Sequence, residues 1–136
     1  MAIFVRLEQS KNKTKSSFGK WYLKTVKLDE VHTEEMARNI CDNTTFKRSE
    51  VKGIIDELVS EMKHQMQMGH VVVLDGLGRF HLSAESEGVA DKRQFNLGKH
   101  LRRVVCKFLP AGHRDPQTGE ITRNFVKGTK VEWMQE

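Results

Sequence analysis

The stretch from Ser49 to Leu82 constrains the fold most, because a helical pattern there gives way to a strand pattern. Apolar side chains recur at steps of four or three residues, which predicts an amphipathic helix over 48–68. Gly69 can end this helix, since glycine adopts the left-handed conformation without strain. A short apolar strand, the corner Gly76-Leu77-Gly78 and a second strand follow. A unit of this size has too little core to stand alone, which predicts a partner subunit.

A shorter helix is expected to begin at Thr33, whose hydroxyl can cap the first turn, and to end near residues 42–45. It is too short to cover the apolar stripe of the long helix. We therefore expect the helices of one chain to pack against those of a second copy. The predicted dimer core consists of Val51, Ile55, Leu58, Met62, Met66 and Phe80.

The region before the helices has strand character. Residues 2–8 alternate between apolar and polar side chains, and residues 21–26 are rich in aromatic and β-branched types. The two segments are expected to pair as a β-hairpin whose tip is the basic loop 11–17. This predicts an N-terminal hairpin extension over 1–32 and a main domain over 33–136, packed as one compact unit.

The region after the glycine corner also has strand character. We expect a loop at 83–91 and an irregular connection or one short strand at 92–101. Proline and glycine predict a turn within 115–119. Strands are expected over 102–109, 121–125 and 129–134.

The basic charge is unevenly distributed along the chain. The net charge of +5 combines +4 over residues 1–32, −5 over 33–91, +8 over 92–130 and −2 at the end. An acidic helical centre with basic flanks is the pattern expected if the flanks meet phosphate while the helices do something else.

Several classes of function receive no support from the sequence. Cys41 and Cys106 are far apart and match no metal motif, and no nucleophile and base can be paired around Asp75. We therefore expect no enzyme, no metal, no cofactor and no small-molecule substrate. The opening residues lack signal-peptide character, and no run of about 18 apolar residues appears. A cytoplasmic protein with no membrane partner is expected.

An ordered set of short motifs spans residues 34–82: a short helix, Asn43-Thr44, a long helix ending at Gly69, and Gly76-x-Gly-x-Phe80. This set resembles the HU and integration-host-factor group of bacterial DNA-architectural proteins. The resemblance implies an α+β fold in which two N-terminal-type helices intertwine in a dimer. It also implies a β-sheet saddle that extends a β arm around the DNA minor groove.

The chain departs from that group at several positions. Its additional N-terminal β segment resembles a longer HU-like variant of the Bacteroides type. The group's arm motif has a near copy at 114–120, much farther after Phe80 than usual, and Gly98-Lys99-His100-Leu101 resembles a remnant of its final helix. Lys47 occupies the position of a capping serine, so Thr44 or Thr45 is expected to cap the long helix.

Phosphate contacts by basic side chains are expected to carry DNA binding. The predicted contact residues are Arg102, Arg103, Lys107, Arg114, Arg123, Lys127 and Lys130, with Lys11, Lys13 and Lys15 as a second cluster. Arg103 and Lys107 are expected to lie on the open face of a sheet. Pro116 has two interpretations, a plain turn residue or a wedge inserted between base steps, as the resemblance implies.

The resulting hypothesis is a non-enzymatic, histone-like protein of the bacterial nucleoid. It would bind and bend double-stranded DNA as a homodimer, with little sequence preference. One alternative is a sequence-specific helix-turn-helix regulator that uses residues 34–60. Another is a structural module for protein interaction, whose basic charge is incidental.

Overall fold

The computed structural model describes residues 1–135, which form an α+β fold. Its helices are α1 (Thr33–Asp42), α2 (Arg48–Gln67) and α3 (Leu97–His100), and a single 3₁₀ turn spans Lys92–Gln94. Its strands are β1 (Ala2–Gln9), β2 (Trp21–Val26), β3 (Val72–Leu74), β4 (Gly78–Ser86), β5 (Leu101–Pro110), β6 (Gly112–Arg114), β7 (Ile121–Arg123) and β8 (Lys130–Trp133).

The chain divides into two units. The first contains Met1–His32 and the segment from Val126 onward, and the second is Thr33–Phe125. This division differs from the predicted one, in which 33–136 formed a single domain. The reason is long-range pairing: β8 adds to the N-terminal sheet as a parallel neighbour of β1.

The first unit is a three-stranded sheet in the order β2-β1-β8. Strands β1 and β2 are antiparallel, and the loop between them contains Gly19 in the left-handed region at φ 81°. The pairing of β8 with β1 is continued when the Met134 N–H donates to the Val5 carbonyl at 3.0 Å. Val5, on the central strand, is the buried residue of this sheet.

Helices α1 and α2 have the bounds that the sequence predicted, within a residue or two. Ala37 of α1 and Val51 of α2 are buried. On the surface, the Glu34 carboxylate accepts a hydrogen bond from the Lys52 ammonium at 2.7 Å. This contact lowers the pKa of Glu34 and raises that of Lys52. Burial of small side chains, with an exposed ion pair at the surface, therefore joins the two helices.

The start of α2 differs from the prediction. Its N-cap is Lys47, whose backbone N–H donates to the Glu50 carboxylate at 2.9 Å. Thr44 instead stabilises the end of α1, because its hydroxyl donates to the Ile40 carbonyl at 3.0 Å. The expectation that Thr44 or Thr45 caps α2 was wrong, since an acidic residue in the first turn satisfies the free backbone donor instead.

The end of α2 matches the prediction. Gly69 has φ 92°, and its N–H donates to the Met66 carbonyl at 3.0 Å. The His70 N–H donates to the Gln65 carbonyl at 3.1 Å. This pair of hydrogen bonds is the Schellman arrangement that a glycine after the last helical residue allows. Gly69 therefore ends the helix and turns the chain toward β3.

The second unit contains a sheet in the order β3-β4-β5. A tight turn joins the first two strands, in which the Leu77 N–H donates to the Leu74 carbonyl at 3.0 Å. Gly78 follows at φ 149°, and a Cβ there would overlap the Leu109 carbonyl oxygen. Only glycine permits this close approach of β5 to the corner.

Two predictions for the segment between β4 and β5 were wrong. Ser83–Ser86 belongs to β4 and not to a loop, because its backbone pairs with the start of β5. Residues 92–101 contain the 3₁₀ turn and α3 where an irregular connection or a strand was expected. Asp91 and Asn96 begin these turns, because each side chain accepts from a backbone N–H two or three residues on.

The predicted dimer core is incompletely covered in one chain. Val51 is buried, Ile55, Met62, Met66 and Phe80 are half-buried, and Leu58 is exposed. The chain exposes 12168 Å², whereas a folded monomer of this mass is expected to expose about 7,300 Å². Two units folded separately would still expose only about 8,600 Å² together. Much apolar surface is therefore left open in a single chain.

Candidate nucleic-acid interface

One face of the β3-β4-β5 sheet carries basic side chains. Phe80 pairs with Phe108 across β4 and β5, and their rings stack with centroids 4.5 Å apart. His81 pairs with Lys107 at the next position, so this pair lies on the opposite face. Arg79 is two residues before His81 and shares its face. All three side chains are exposed, which leaves a positively charged surface open to solvent.

Arg103 lies on the same face, but its charge is already paired. It stands opposite Glu85, and its guanidinium Nε donates to the Glu85 carboxylate at 2.6 Å. The register shifts after Glu85, where Ser86 pairs with Leu101, so Arg102 is the additional residue of a β-bulge. Arg102 is exposed. Of the two arginines predicted here, Arg102 is therefore the one without an acidic partner across the strands.

Strands β6 and β7 form a short hairpin over 112–123, which we call the arm. The predicted turn closes its tip, where the Gly119 N–H donates to the Asp115 carbonyl at 2.8 Å. The Asp115 carboxylate accepts from the Gln117 N–H at 2.8 Å, and this hydrogen bond lowers the pKa of Asp115. Pro116 is exposed within this turn. The arm therefore presents a proline at a tip that its own backbone keeps ordered.

The two arginines of the arm differ in their freedom. The register places Arg114 and Arg123 on the same face of the hairpin. Arg123 is half-buried and donates from Nη1 to the Pro110 carbonyl at 2.9 Å. Arg114 is exposed, and its Nη1 lies 3.4 Å from the Gly119 carbonyl. Arg123 thus stabilises the base of the arm, whereas most of the Arg114 guanidinium is free for a ligand.

The base of the arm is attached to the glycine corner. The Ala111 N–H donates to the Leu77 carbonyl at 3.0 Å, and the Asn124 N–H donates to the Ala111 carbonyl at 2.9 Å. The Asn124 side-chain amide also lies 3.3 Å from the Gly76 carbonyl. The residues between Phe80 and the arm motif therefore form the rest of β4, the connection after it and β5, and β5 brings the chain back to the glycine corner.

The remaining predicted contacts lie in the first unit. Lys11, Lys13 and Lys15 are exposed in the loop between β1 and β2. Lys127 precedes β8, and Lys130 is its first residue and pairs with Ala2. The ten predicted cations are thus divided between two units, and the structure brings together only those of β5 and the arm.

Five basic residues were missing from the predicted set. Arg79 and His81 share the face of Lys107, and the alternation around Phe80 already indicated which way they point. Lys92, Arg93 and Lys99 are exposed in the connection between β4 and β5. Their position beside the sheet depends on the pairing of β4 with β5, which no local pattern specifies.

Other kinds of site have little support in the structure. A cleft of about 470 Å³ lies at the base of the arm, where Asp75, Arg79 and Arg123 contribute to its walls. Within residues 1–135, no three His, Cys, Asp or Glu side chains are grouped as they would be to hold a metal ion. Among the same residues, no helix is long and apolar enough to cross a membrane.

The sequence matches a family model described as HU-HIG, "HU domain fused to wHTH, Ig, or Glycine-rich motif", over residues 1–115. The chain belongs to the HU-HIG family. The match begins with the hairpin of the first unit, includes α1, α2 and the β3-β4-β5 sheet, and ends in the tip of the arm. The N-terminal extension is therefore part of what this family shares.

A crystal structure of a protein from Bacteroides vulgatus ATCC 8482, named as a candidate bacterial DNA-binding protein, has a similar fold, with a TM-score of 0.61. The two sequences are 14% identical, so the likeness concerns the fold alone. The superposition covers 98% of this HU-HIG chain and 48% of the other, so the chain spans about half the length of that protein. No curated protein matches the sequence.

Proposed function

We propose that this HU-HIG chain binds and bends double-stranded DNA as a non-enzymatic architectural protein of the bacterial nucleoid. The observation that carries the proposal is the open basic face of the β3-β4-β5 sheet, with the arm attached beside it. The HU domain in the family description supports the same conclusion.

Phosphate neutralisation accounts for the proposed low specificity. Arg79, Arg102 and Lys107 are exposed on β4 and β5, and each can displace a counterion from the DNA backbone. This contribution to affinity does not depend on base sequence and weakens as salt increases. Backbone contacts position a duplex without identifying its bases.

We propose that two chains form the saddle. Leu58 on the α2 stripe is exposed, three further residues of that stripe are only half-buried, and so is Phe80 on β4. A second copy packed on these residues would remove them from water, as in other helical dimers. The saddle would then present two basic sheet faces and two arms to one duplex.

The arm is proposed to reach the minor groove. Proteins that bend DNA insert apolar side chains, proline among them, between base steps and so kink the duplex. Pro116 is exposed at the tip, and Arg114 lies beside it. In this arrangement Pro116 is the wedge, and Arg114 contacts the backbone or the groove edge.

A helix-turn-helix mode has weaker support. In that mode α2 would enter a major groove, but it carries four exposed acidic side chains that phosphate would repel. These residues are Glu50, Asp56, Glu57 and Glu61.

The test is a gel-shift series with random duplexes of equal length between 50 and 200 mM salt. We expect binding that weakens steeply with salt and is equal for unrelated sequences. A strong preference for one sequence would support the regulator instead. Failure to bind at the lowest salt concentration would remove the DNA-binding proposal and leave the interaction module.

A further inference from the structure

The sheet of the first unit has one uncharged, largely apolar face. The register of β1 with β2 and with β8 determines its members, because paired residues point to the same side. We call it the N-sheet face. It consists of Ile3, Val5, Leu7, Gln9, Trp21, Leu23, Thr25, Val131 and Trp133.

The opposite face of the same sheet carries charged side chains. There Glu8 accepts from the Lys24 ammonium, which lies 3.0 Å from the nearer carboxylate oxygen, and Arg6 lies 3.6 Å from the same carboxylate. The Lys24 hydrogen bond lowers the pKa of Glu8. The two faces thus differ in charge: the opposite face mixes these charged side chains with Phe4, Tyr22 and Val26, whereas no member of the N-sheet face is charged.

The area of the N-sheet face exceeds what a soluble surface normally leaves open. Except for the buried Val5, its apolar side chains are between 42% and 62% exposed. With ordinary side-chain areas, these fractions amount to roughly 650 Å² of open apolar surface. Patches larger than a few hundred Å² mark interaction sites. Two such faces brought together would bury about 1,300 Å², within the range of specific protein interfaces.

We propose that the N-sheet face packs against the same face of a second copy of this chain. An uncharged face can meet itself without repulsion or buried ions, as a two-fold interface requires. Two sheets packed in this way form a sandwich about 10 Å thick. If the strands of the two copies run in opposite directions, the loops with Lys11, Lys13 and Lys15 point to opposite ends and do not repel each other.

A single-stranded nucleic acid fits this face less well. Bases can stack on tryptophan, but such sites combine aromatic side chains with cations that follow the phosphate backbone. The members of the N-sheet face include neither lysine nor arginine. Five of them are aliphatic, and aliphatic side chains suit a protein partner better than a base.

The inference is independent of DNA binding and of the proposed contact through α2. A pair formed by the N-sheet face would join two such dimers, or add a second contact within one dimer. If the N-sheet face joins two dimers, one assembly contains two of the proposed DNA-binding saddles.

Intrinsic fluorescence offers a direct test, because the chain has two tryptophans and both lie on the N-sheet face. Emission of the full chain is measured without DNA over a dilution series, with circular dichroism to monitor folding. We expect short-wavelength emission at high concentration and a shift to longer wavelengths on dilution, with the helix signal unchanged.

Neighbouring residues of β2 provide a matched pair of variants. Leu23→Lys places an ammonium on the N-sheet face, whereas Tyr22→Lys places the same charge on the opposite face. Leu23→Lys is expected to raise the midpoint of the dilution curve by at least about tenfold. Tyr22→Lys is expected to leave it unchanged.

Three results would overturn the inference. The first is long-wavelength emission of the wild-type chain at every concentration, which would show an open face. The second is emission that changes neither on dilution nor in Leu23→Lys, which would show that the face is covered within its own chain. The third is quenching by oligothymidylate at low salt that Leu23→Lys leaves intact, which would identify a nucleic-acid platform.

Discussion

Replacing Lys107 by glutamine tests whether the sheet face meets the DNA backbone. Among the described residues of β4, β5 and the arm, four cations in one chain are exposed and have no acidic partner across the strands: Arg79, Arg102, Lys107 and Arg114. A homodimer would present about eight of them. With a slope near −0.9 per phosphate contact, the logarithm of the binding constant should fall with the logarithm of salt at about −7.

The expected numbers separate the variant clearly from the wild type. Between 50 and 200 mM salt, a slope near −7 weakens binding about 10⁴-fold. Lys107→Gln removes two contacts from a dimer, so its slope should be close to −5.4 and its weakening about 2×10³-fold. The assay is fluorescence anisotropy with a labelled random duplex, titrated at five or more salt concentrations.

Lys63→Gln is the matched control, because it removes the same charge from an exposed position on α2. Its slope should equal that of the wild type. If Lys107→Gln also keeps the wild-type slope, the sheet face does not contact phosphate. If both variants reduce the slope equally, net charge and not this surface determines binding.

Further predictions concern the ion pair, the dimer, the glycine corner and the arm. Glu85→Gln should free the Arg103 guanidinium, steepen the salt dependence of the DNA-binding constant by about one per chain and tighten DNA binding at low salt. An unchanged slope would mean that Arg103 does not contact DNA. In a chain that also carries Leu23→Lys, so that pairing through the N-sheet face is weakened, Leu58→Glu should give monomers in sedimentation at micromolar concentration, since it places a charge on the apolar stripe; a dimer that persists in this double variant would exclude α2 as the interface. Gly78→Val should lower the free energy of unfolding in urea by at least about 2 kcal/mol, whereas Gly88→Val, where a Cβ meets open space, should cost much less. Hydrogen bonds lower the pKa of Asp115, so the ionised carboxylate should stabilise the arm fully at any pH above the ordinary aspartate pKa near 4 and lose this effect as pH falls through the lowered pKa. Amide hydrogen exchange in the arm, measured as a function of pH, would show this loss, and Asp115→Asn should abolish the pH dependence.

Local patterns predicted α1, α2 and most strands of this chain. Apolar side chains spaced by four or three residues located α2, and Gly69 located its end, because both signals act within one turn of helix. The same is true of the turn before Gly119. The N-cap of α2 was mispredicted. The backbone N–H of Lys47 donates to the Glu50 carboxylate, and a glutamate three residues after the cap is a weaker sequence signal than a threonine before the helix.

Local patterns could not predict which strands pair across long sequence separations. The sequence shows that residues near 130 have strand character, but not that β8 pairs in parallel with β1. Likewise, alternation gave the orientation of Arg103, but not the carboxylate opposite it. Register decides such contacts, and register depends on the hydrogen bonds of the whole sheet. The candidate site was therefore predictable in its residue types, and only partly in which of those residues are free to bind.

The glycine corner links the stability of the sheet to the position of the arm. Gly78 lets the backbone of β5 approach closely, and the carbonyls of Gly76 and Leu77 accept hydrogen bonds from the base of the arm. A side chain at Gly78 would push β5 away and weaken those bonds as well. Because the base of the arm is hydrogen-bonded to this corner, a displacement at the corner would also move the tip of the arm. Substitutions there should therefore reduce DNA bending before they abolish DNA binding, since the basic sheet face can still meet phosphate.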